Sequence, residues 1–456
     1  METYADLVEK QRRFFQSKKT KELSFRLQAL QKLKKIIQIY ETEILAALKQ
    51  DLNKSEFEAY TSEVGFVLKE LTDTIKQIHS WAKPRKVKTP ITHMGSSGSI
   101  HYEPYGVVLI IAPWNYPFQL AIAPIIGALA AGNCVLLKPS ELAPNTSAIL
   151  AKLVKEIFTE EYVSVVEGGI ETSSALLYEK YDYIFFTGSV PVGKIVYESA
   201  AKHLTPVTLE LGGKSPCIVH EDANIKLAAK RIAWGKFFNA GQTCVAPDYL
   251  YVHSSIKIEF LRKLQVAVKE LYGENALENE DFTRIVSERH FERLTGFINN
   301  GKISFGGNHQ LANLTIEPTI LTDVSWNDEV MQEEIFGPIL PVMEFTSMEG
   351  ILEDINRRPK PLAFYIFSEN KTVQQQVVNA VSFGGGCIND TVYHFTNPNL
   401  PFGGVGSSGI GAYHGKGSFE LFSHQKSVLT QTTLFDIPLR YPNVKDGLKK
   451  IKMFLK

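Results

Sequence analysis

Val107-Val108-Leu109-Ile110-Ile111-Ala112-Pro113-Trp114-Asn115-Tyr116-Pro117, then the apolar run Phe118–Ala131, Gly132 and Cys134-Val135-Leu136-Leu137-Lys138, decide the fold of this 456-residue chain. Val107–Ala112 is short and rich in β-branched residues, which reads as a strand. Phe118–Ala131 is long enough for a buried helix, closed by Gly132, and Cys134–Leu137 is a second buried strand. Strands that are apolar throughout, with a helix between them, belong to a parallel sheet covered on both faces. Working outward, the alternation continues through helix Pro144–Phe158, strands Val163–Glu167 and Tyr183–Phe186, and a helix Val192–Lys202 after Pro191. It restarts after Gly212 with strands Ser215–His220 and Tyr249–His253 and helices Leu227–Phe238 and Ile256–Leu271. Residues 334–387 repeat it, with strands near Ile339–Phe345 and Ala363–Phe367. The expected fold class is α/β, with two doubly wound open-sheet domains whose connections are right-handed crossovers.

Upstream of that stretch, residues 1–82 read as helices, since Leu27, Leu30, Leu33 and Ile37 recur at spacings of three and four. Residues 83–105 change character. Val87–Met94 and Ile100–Tyr102 look like short strands flanking a turn at Gly95-Ser96-Ser97-Gly98. A ribbon of this kind has edges that a second subunit can cover, and a solvated surface hairpin stays equally open. The tail from Gln431 reads as irregular and ends in basic Leu448–Lys456, a solvated tail or at most a weak interfacial helix. The expected division is a nucleotide-binding domain of residues 1–82 and 106–211, a catalytic domain of 212–424, and a bridging element of 83–105 and 425–456.

Composition narrows the function. Lys plus Arg and Asp plus Glu are both 49, so the formal net charge is zero, and no excess of cations marks a nucleic-acid binder. Hydrophobic residues at 44% and charged residues at 21% argue against disorder. Four scattered cysteines fit a reducing, cytoplasmic compartment rather than a disulfide scaffold. Met1-Glu2 opens no secretory signal, and the longest apolar runs are short or broken by proline, so no membrane anchor is expected. No metal site is expected either.

Two glycine motifs mislead. Gly404-Val405-Gly406-Ser407-Ser408-Gly409 matches the dinucleotide fingerprint letter for letter, but Asn397–Phe402 before it offers no strand, so a flexible loop is expected there. Gly188-Ser189-Val190-Pro191-Val192-Gly193-Lys194 lies between a strand and a helix. Ile195 stands where a triphosphate loop needs Ser or Thr, and Pro191 lacks an N–H. What remains is a helix N-terminus suited to a phosphate-bearing ligand, a dinucleotide before ATP; a plain strand-to-helix turn is the alternative.

The residues fit for chemistry cluster in four places. Cys244 follows a helix across Asn239-Ala240-Gly241-Gln242-Thr243, a polar loop able to expose a thiol, whereas Cys134 and Cys217 sit inside apolar strands and Cys387 is ambiguous. Glu210 has apolar company beside Gly212-Gly213, which suits a general base, although composition alone favours a solvent-facing strand end. Asn115 ends the first sheet strand, where it could donate to an oxyanion or simply cap a turn. Lys138 and Glu141 end the next strand, as ribose ligands or as a surface ion pair.

Taken together, Pro113-Trp114-Asn115, Lys138-Pro139-Ser140-Glu141, Phe186-Thr187-Gly188-Ser189, Glu210-Leu211-Gly212-Gly213-Lys214, Gly241-Gln242-Thr243-Cys244 and Glu334-Ile335-Phe336-Gly337-Pro338 resemble the aldehyde dehydrogenase superfamily from about residue 20 to 430. Phe402–Gln425 looks like its class three branch of fatty and aromatic aldehyde dehydrogenases. The resemblance implies NAD(P)-dependent oxidation of an aldehyde, medium- or long-chain or aromatic, to a carboxylic acid. Cys244 would be the nucleophile, Asn115 an oxyanion donor and Glu210 the base that releases the acid by hydrolysis. Lys138 and Glu141 would hold the adenosine ribose and Glu334 the nicotinamide ribose; Trp114, Gly188, Ser189, Leu211 and Phe336 complete the cofactor site. NAD is the expected cofactor, with NADP possible, because the Glu141 carboxylate repels a 2′-phosphate. A homodimer is implied. Membrane-bound members carry a hydrophobic C-terminal anchor, which this sequence departs from. Tyr60, Tyr116 and Phe402 are candidates for setting aldehyde chain length.

Overall fold

The order of elements around residue 107 follows from burial. In the computed structural model, which describes residues 3–455, all five residues of strand Val107–Ile111 and all thirteen of helix Gln119–Ala131 are buried. The helix stops at Gly132, whose φ of +99° is left-handed. Met1-Glu2 and Lys456, parts of the expected first and last segments, lie outside the described residues.

Val107–Ile111 is the central strand of a six-stranded sheet. Cys134–Lys138 and Val163–Val165 lie to one side, and Tyr183–Thr187, Val207–Glu210 and Gly409–Ile410 to the other. All pair in parallel except the last, which runs antiparallel with Gly409 opposite Glu210. The strand order reverses at Val107–Ile111, and a ligand crevice belongs outside the carboxyl ends at such a point. A second, seven-stranded sheet runs Lys302–Phe305, Thr319–Thr322, Ile339–Phe345, Tyr249–His253, Pro216–Val219, Ala363–Phe367, Gly385–Ile388, antiparallel only at its first pair. The α/β class with two doubly wound sheets is what the sequence predicts.

Four expectations need correcting. Val87–Met94 is not a strand: only Arg85–Val87 pairs, with Gly98–Ile100, and Pro90 leads into a short 3-10 turn at Ile91–His93. Proline has no N–H for a ladder there. Ser96–Gly98, read as the turn, belongs to strand Ser96–Pro104, whose other edge is covered by this chain's own Ser423–Gln431. The stretch Gly404–Gly409, read as a flexible loop, holds a 3-10 turn at Gly406–Ser408 and starts the strand Gly409–Ile410. Beyond Gln431 the tail carries a helix, Gly447–Phe454. Helix Val190–Ala201 also begins one residue before Pro191, a first-turn position that proline tolerates. Among the described residues no helix is long and apolar enough to cross a membrane.

The N-terminal helices pack on the first sheet. Helix Glu56–Ala59 passes through a π-helical turn, Tyr60–Val64, into Gly65–Trp81, and that wider turn holds Glu63 fully buried.

Candidate active site

The two sheets meet at a cavity of about 690 Å³, and they approach it from opposite ends of their strands. The first sheet contributes residues just past carboxyl ends: Trp114 and Asn115 after Val107–Ile111, Gly188 and Ser189 after Tyr183–Thr187, Glu210 and Leu211 at the end of Val207–Glu210. The second contributes residues before amino ends: Cys244 ahead of Tyr249–His253, Glu334 and Phe336 ahead of Ile339–Phe345. Lys138 and Glu141 do not line the cavity. They pair with each other at 2.7 Å, Lys138 buried and Glu141 exposed, so the pair is only half a surface feature.

The loop carrying Cys244 is locally constrained. Asn239 and Ala240 both hold left-handed backbone (φ +53° and +50°), which is disfavoured for alanine and is the kind of strain that collects at functional sites. Gly241 then passes so close to the next loop that a Cβ would stand 2.2 Å from the Gly337 carbonyl oxygen. Only glycine allows that approach, and it brings the Cys244 loop against the Glu334–Phe336 loop. The Asn115 loop is fastened to the same place. The Asn115 side-chain amide donates to the Gln242 carbonyl (3.0 Å), and the Tyr116 and Thr243 hydroxyls meet at 2.6 Å. Donation to a carbonyl fixes which end of the Asn115 amide is nitrogen and leaves its second N–H for the cavity. Trp114 packs edge-on to Phe336 (5.3 Å) and tilts against His290 (5.2 Å), forming one wall.

Glu210 is 3% exposed, and neither carboxylate oxygen has a protein hydrogen-bond partner among the described residues. Burial alone pushes its pKa well above the usual carboxylate range. Burial also pushes the Cys244 thiol up, with Glu334 and Glu210 adding repulsion, while its own N–H and that of Val245 favour the thiolate. Glu334 is raised to about 8, by burial first and then Asp248, against the Gly213 N–H, Lys214 and Arg293. Asp248 accepts from the Ile335 N–H (2.9 Å) and pairs with Lys214 at 2.5 Å. Lys214 donates on to the carbonyls of Val330 and Glu333, so the Glu334 loop is pinned from two sides. Glu334 lies so near Gly212 that a Cβ there would meet its carboxylate at 1.9 Å.

The donors present suit a dinucleotide. Ser189, the N-cap of helix Val190–Ala201, makes no side-chain cap and lines the cavity at that helix start, and Thr187 Oγ1 beside it is buried without a partner among the described residues. Hydroxyl, amide and carboxylate groups of this kind match the ribose and phosphate groups of NAD(P). The sequence reading missed His290 and Arg293, which also line the cavity from helix Glu288–Ile298. The signal was present in the Ser287 N-cap and the apolar Phe291, Leu294, Phe297 and Ile298, which mark a helix. No cluster able to hold a metal ion occurs among the described residues.

Comparison with known proteins agrees with this geometry. The model of the aldehyde dehydrogenase family matches residues 2–428. The chain is 49% identical to the 4,4'-diaponeurosporen-aldehyde dehydrogenase of Staphylococcus aureus, over 97% of each. It is 48% identical to the dimeric NADP-preferring aldehyde dehydrogenase of Rattus norvegicus, over 95% of this chain and 96% of that one. A solved structure described as the substrate-bound state of Staphylococcus aureus AldH superposes with a TM-score of 0.98 at 48% identity, covering both chains entirely. An NAD+ complex of aldehyde dehydrogenase from Bacillus cereus gives 0.85 at 28% identity, over 94% and 89% of the chains. The sequence, the two sheets and the cleft between them thus converge: the chain belongs to the aldehyde dehydrogenase family, on its class three-like branch, and is an enzyme of NAD(P)-dependent aldehyde oxidation.

Proposed function

We propose that Cys244, Glu210 and Asn115 carry out the oxidation, and that the Cys244 thiolate attacks the aldehyde carbon. The observation that carries this reading is the one cavity that Cys244, the buried and unpartnered Glu210 carboxylate and Asn115 line together. Asn115 Nδ2–H and the Cys244 backbone N–H stabilise the oxyanion formed by the attack. A bound nicotinamide supplies the acceptor for the hydride. The thioester left on Cys244 is then hydrolysed: Glu210 takes a proton from water, and the water oxygen attacks the thioester carbon, so that the carboxylic acid leaves and the thiol is restored. The raised pKa makes Glu210 a stronger base than an ordinary carboxylate, which suits it to take that proton.

For the cofactor, Ser189 with Gly188 takes the pyrophosphate and Glu334 the nicotinamide ribose, with Trp114, Leu211 and Phe336 packing around it. Lys138 and Glu141 take the adenosine ribose. Glu141 disfavours a 2′-phosphate, but its 2.7 Å pairing with Lys138 offsets the charge, which fits use of both NAD and NADP. Residues 1–82 and 106–211 act as the cofactor-binding domain, 212–424 as the catalytic domain, and 83–105 with 425–456 as the bridging element. The solvent-facing strand Ser423–Gln431 at the edge of the three-stranded sheet supports a homodimer, and the free thiols of Cys134, Cys217, Cys244 and Cys387 support a cytoplasmic setting.

The substrate is an apolar aldehyde, medium- or long-chain or aromatic. Outside the cavity, next to Asn115 and Thr243, runs a chain of aromatic contacts that supports an apolar substrate: Tyr116 stacks on Phe238, Phe238 packs on Trp234, and Trp234 on Tyr393. Phe402 lies in a neighbouring group with Phe395 and His414, whereas Tyr60 is largely exposed. Incubation with NAD and a graded series of aldehydes tests the reading by the absorbance of the reduced cofactor. Turnover is expected to favour longer or aromatic aldehydes and to vanish in Cys244→Ser; full activity in that variant would overturn it.

A further inference from the structure

A lysine and a glutamate are fully buried beneath the Asn115 loop, outside the cavity, and the mechanism leaves them unused. Lys54 and Glu63 are both 0% exposed and pair at 2.5 Å. A buried ion pair is a poor source of stability, because desolvating two charges offsets their attraction and an apolar pair often does as well. The contacts of this one point elsewhere. Lys54 Nζ donates to the backbone carbonyl of Asn115 (2.9 Å) and sits 4.0 Å from the centre of the Tyr116 ring. Glu63, held inward by the π-helical turn, accepts from the N–H groups of Phe118 (2.8 Å) and Gln119 (3.2 Å). Those N–H groups open helix Gln119–Ala131, whose own N-cap residue Phe118 makes no side-chain cap. The pair therefore grips the loop at both ends: the carbonyl of Asn115 on one side and the helix start on the other. Asn239, from the Cys244 loop, donates to the same Asn115 carbonyl (3.0 Å) and to the Gln242 carbonyl (3.1 Å).

We infer that Lys54 and Glu63 are positioning residues for the oxyanion step: they fix the backbone of Asn115 so that its side-chain amide meets the charge developing at Cys244. Neither lines the cavity, so both act through the loop that carries Asn115. The inference rests on the reading of Asn115 as the oxyanion donor. Its consequence is energetic coupling. Displacing a catalytic group by about 1 Å can lower a rate by about 10²-fold, and removing an oxyanion donor lowers it by about 10²–10³-fold. Loss of the clamp and loss of the amide should not add, because the first already spoils what the second removes.

The test is a double-mutant cycle on the pre-steady-state burst of reduced cofactor, using the full chain with NAD and a saturating aldehyde. Lys54→Met with Glu63→Gln removes both charges together. It is expected to slow the burst by about tenfold or more while leaving the affinity for NAD unchanged. Adding Asn115→Ala to that variant is expected to bring the rate only to the level of Asn115→Ala alone. Independent, multiplying effects, or a wild-type burst in the clamp variant, would overturn the inference. A wild-type burst in Asn115→Ala alone would instead overturn the oxyanion reading. Should the clamp variant fail to fold, Asn239→Gly removes a donor from the same carbonyl and keeps the left-handed backbone at that position. The same cycle with Asn115→Ala applies, and full additivity there contradicts the inference equally.

Discussion

Two buried carboxylates, Glu63 under the floor of the cleft and Glu210 in its wall, are equally hidden from solvent and oppositely treated. Glu63 accepts from a buried lysine and two backbone N–H groups. Glu210 accepts from nothing among the described residues. A buried charge that is paired on every side is a fixture of the fold, while one left bare carries a shifted acidity and a readiness to exchange a proton. Burial alone does not distinguish a structural from a chemical carboxylate here; the count of partners does.

The contrast breaks most visibly if the two residues are exchanged for their amides. Glu210→Gln should reduce steady turnover by about 10²–10⁴-fold, the range of general-base catalysis, with no loss in melting temperature, because only an unpaired buried carboxyl is removed. A melting temperature lowered as far as that of Glu63→Gln would erase the distinction. Glu63→Gln alone should destabilise the chain by about 3–5 kcal/mol in urea unfolding, because Lys54 stays buried without its counter-charge. A loss under about 1 kcal/mol would place Glu63 among ordinary surface-like pairs instead.

A third measurement sharpens the comparison through pH. The folded chain holds a proton on Glu334 up to about 8, against 4.5 for the unpaired residue, and Glu210 is shifted in the same direction. A group whose folded value is raised contributes stability at low pH, and that contribution is lost as pH climbs through the folded value. The melting temperature of the cofactor-free protein should therefore fall between pH 4.5 and about 8, and Glu334→Gln should flatten the slope. Equal slopes in the two proteins would contradict the assignment. The smallest effect is expected at the other half-buried thiol. Cys387 lies 3.6 Å from His394 Nδ1 and, unlike Cys244, does not line the cavity, so its loss should leave inactivation unchanged. Inactivation by iodoacetamide should proceed at the same rate in Cys387→Ser as in the unaltered chain; slower inactivation would move the reactive thiol away from Cys244.

The two sheets also differ in how far their contributions could be read in the sequence. In the first, Asn115, Ser189 and Glu210 stand at carboxyl ends of apolar strands, so the alternation of strand and helix from Val107 onward locates them by a general rule of open α/β sheets. In the second, Cys244 and Glu334 precede the strands Tyr249–His253 and Ile339–Phe345. That rule would pass over them, and only the local motifs marked them. Strand Gly409–Ile410, which crosses back to lie beside Glu210, has two residues and no periodicity to read. Lys54 and Glu63 were illegible for another reason. Lys54 stands in the loop between helices Glu41–Leu52 and Glu56–Ala59 and Glu63 in the π-helical turn, both among other charges such as Asp51, Glu56 and Glu58, and their partners at Asn115, Phe118 and Gln119 are more than fifty residues away in the chain.

The most direct test of the account is to catch the acyl group on its cysteine. Glu210→Gln, mixed with NAD and one aldehyde and quenched within a single turnover, should release reduced cofactor in one equivalent per site and then stall. Peptide mass spectrometry should place the acyl mass on Cys244. Steady turnover by the variant, or acyl mass on Cys387 with Cys244 free, would contradict it.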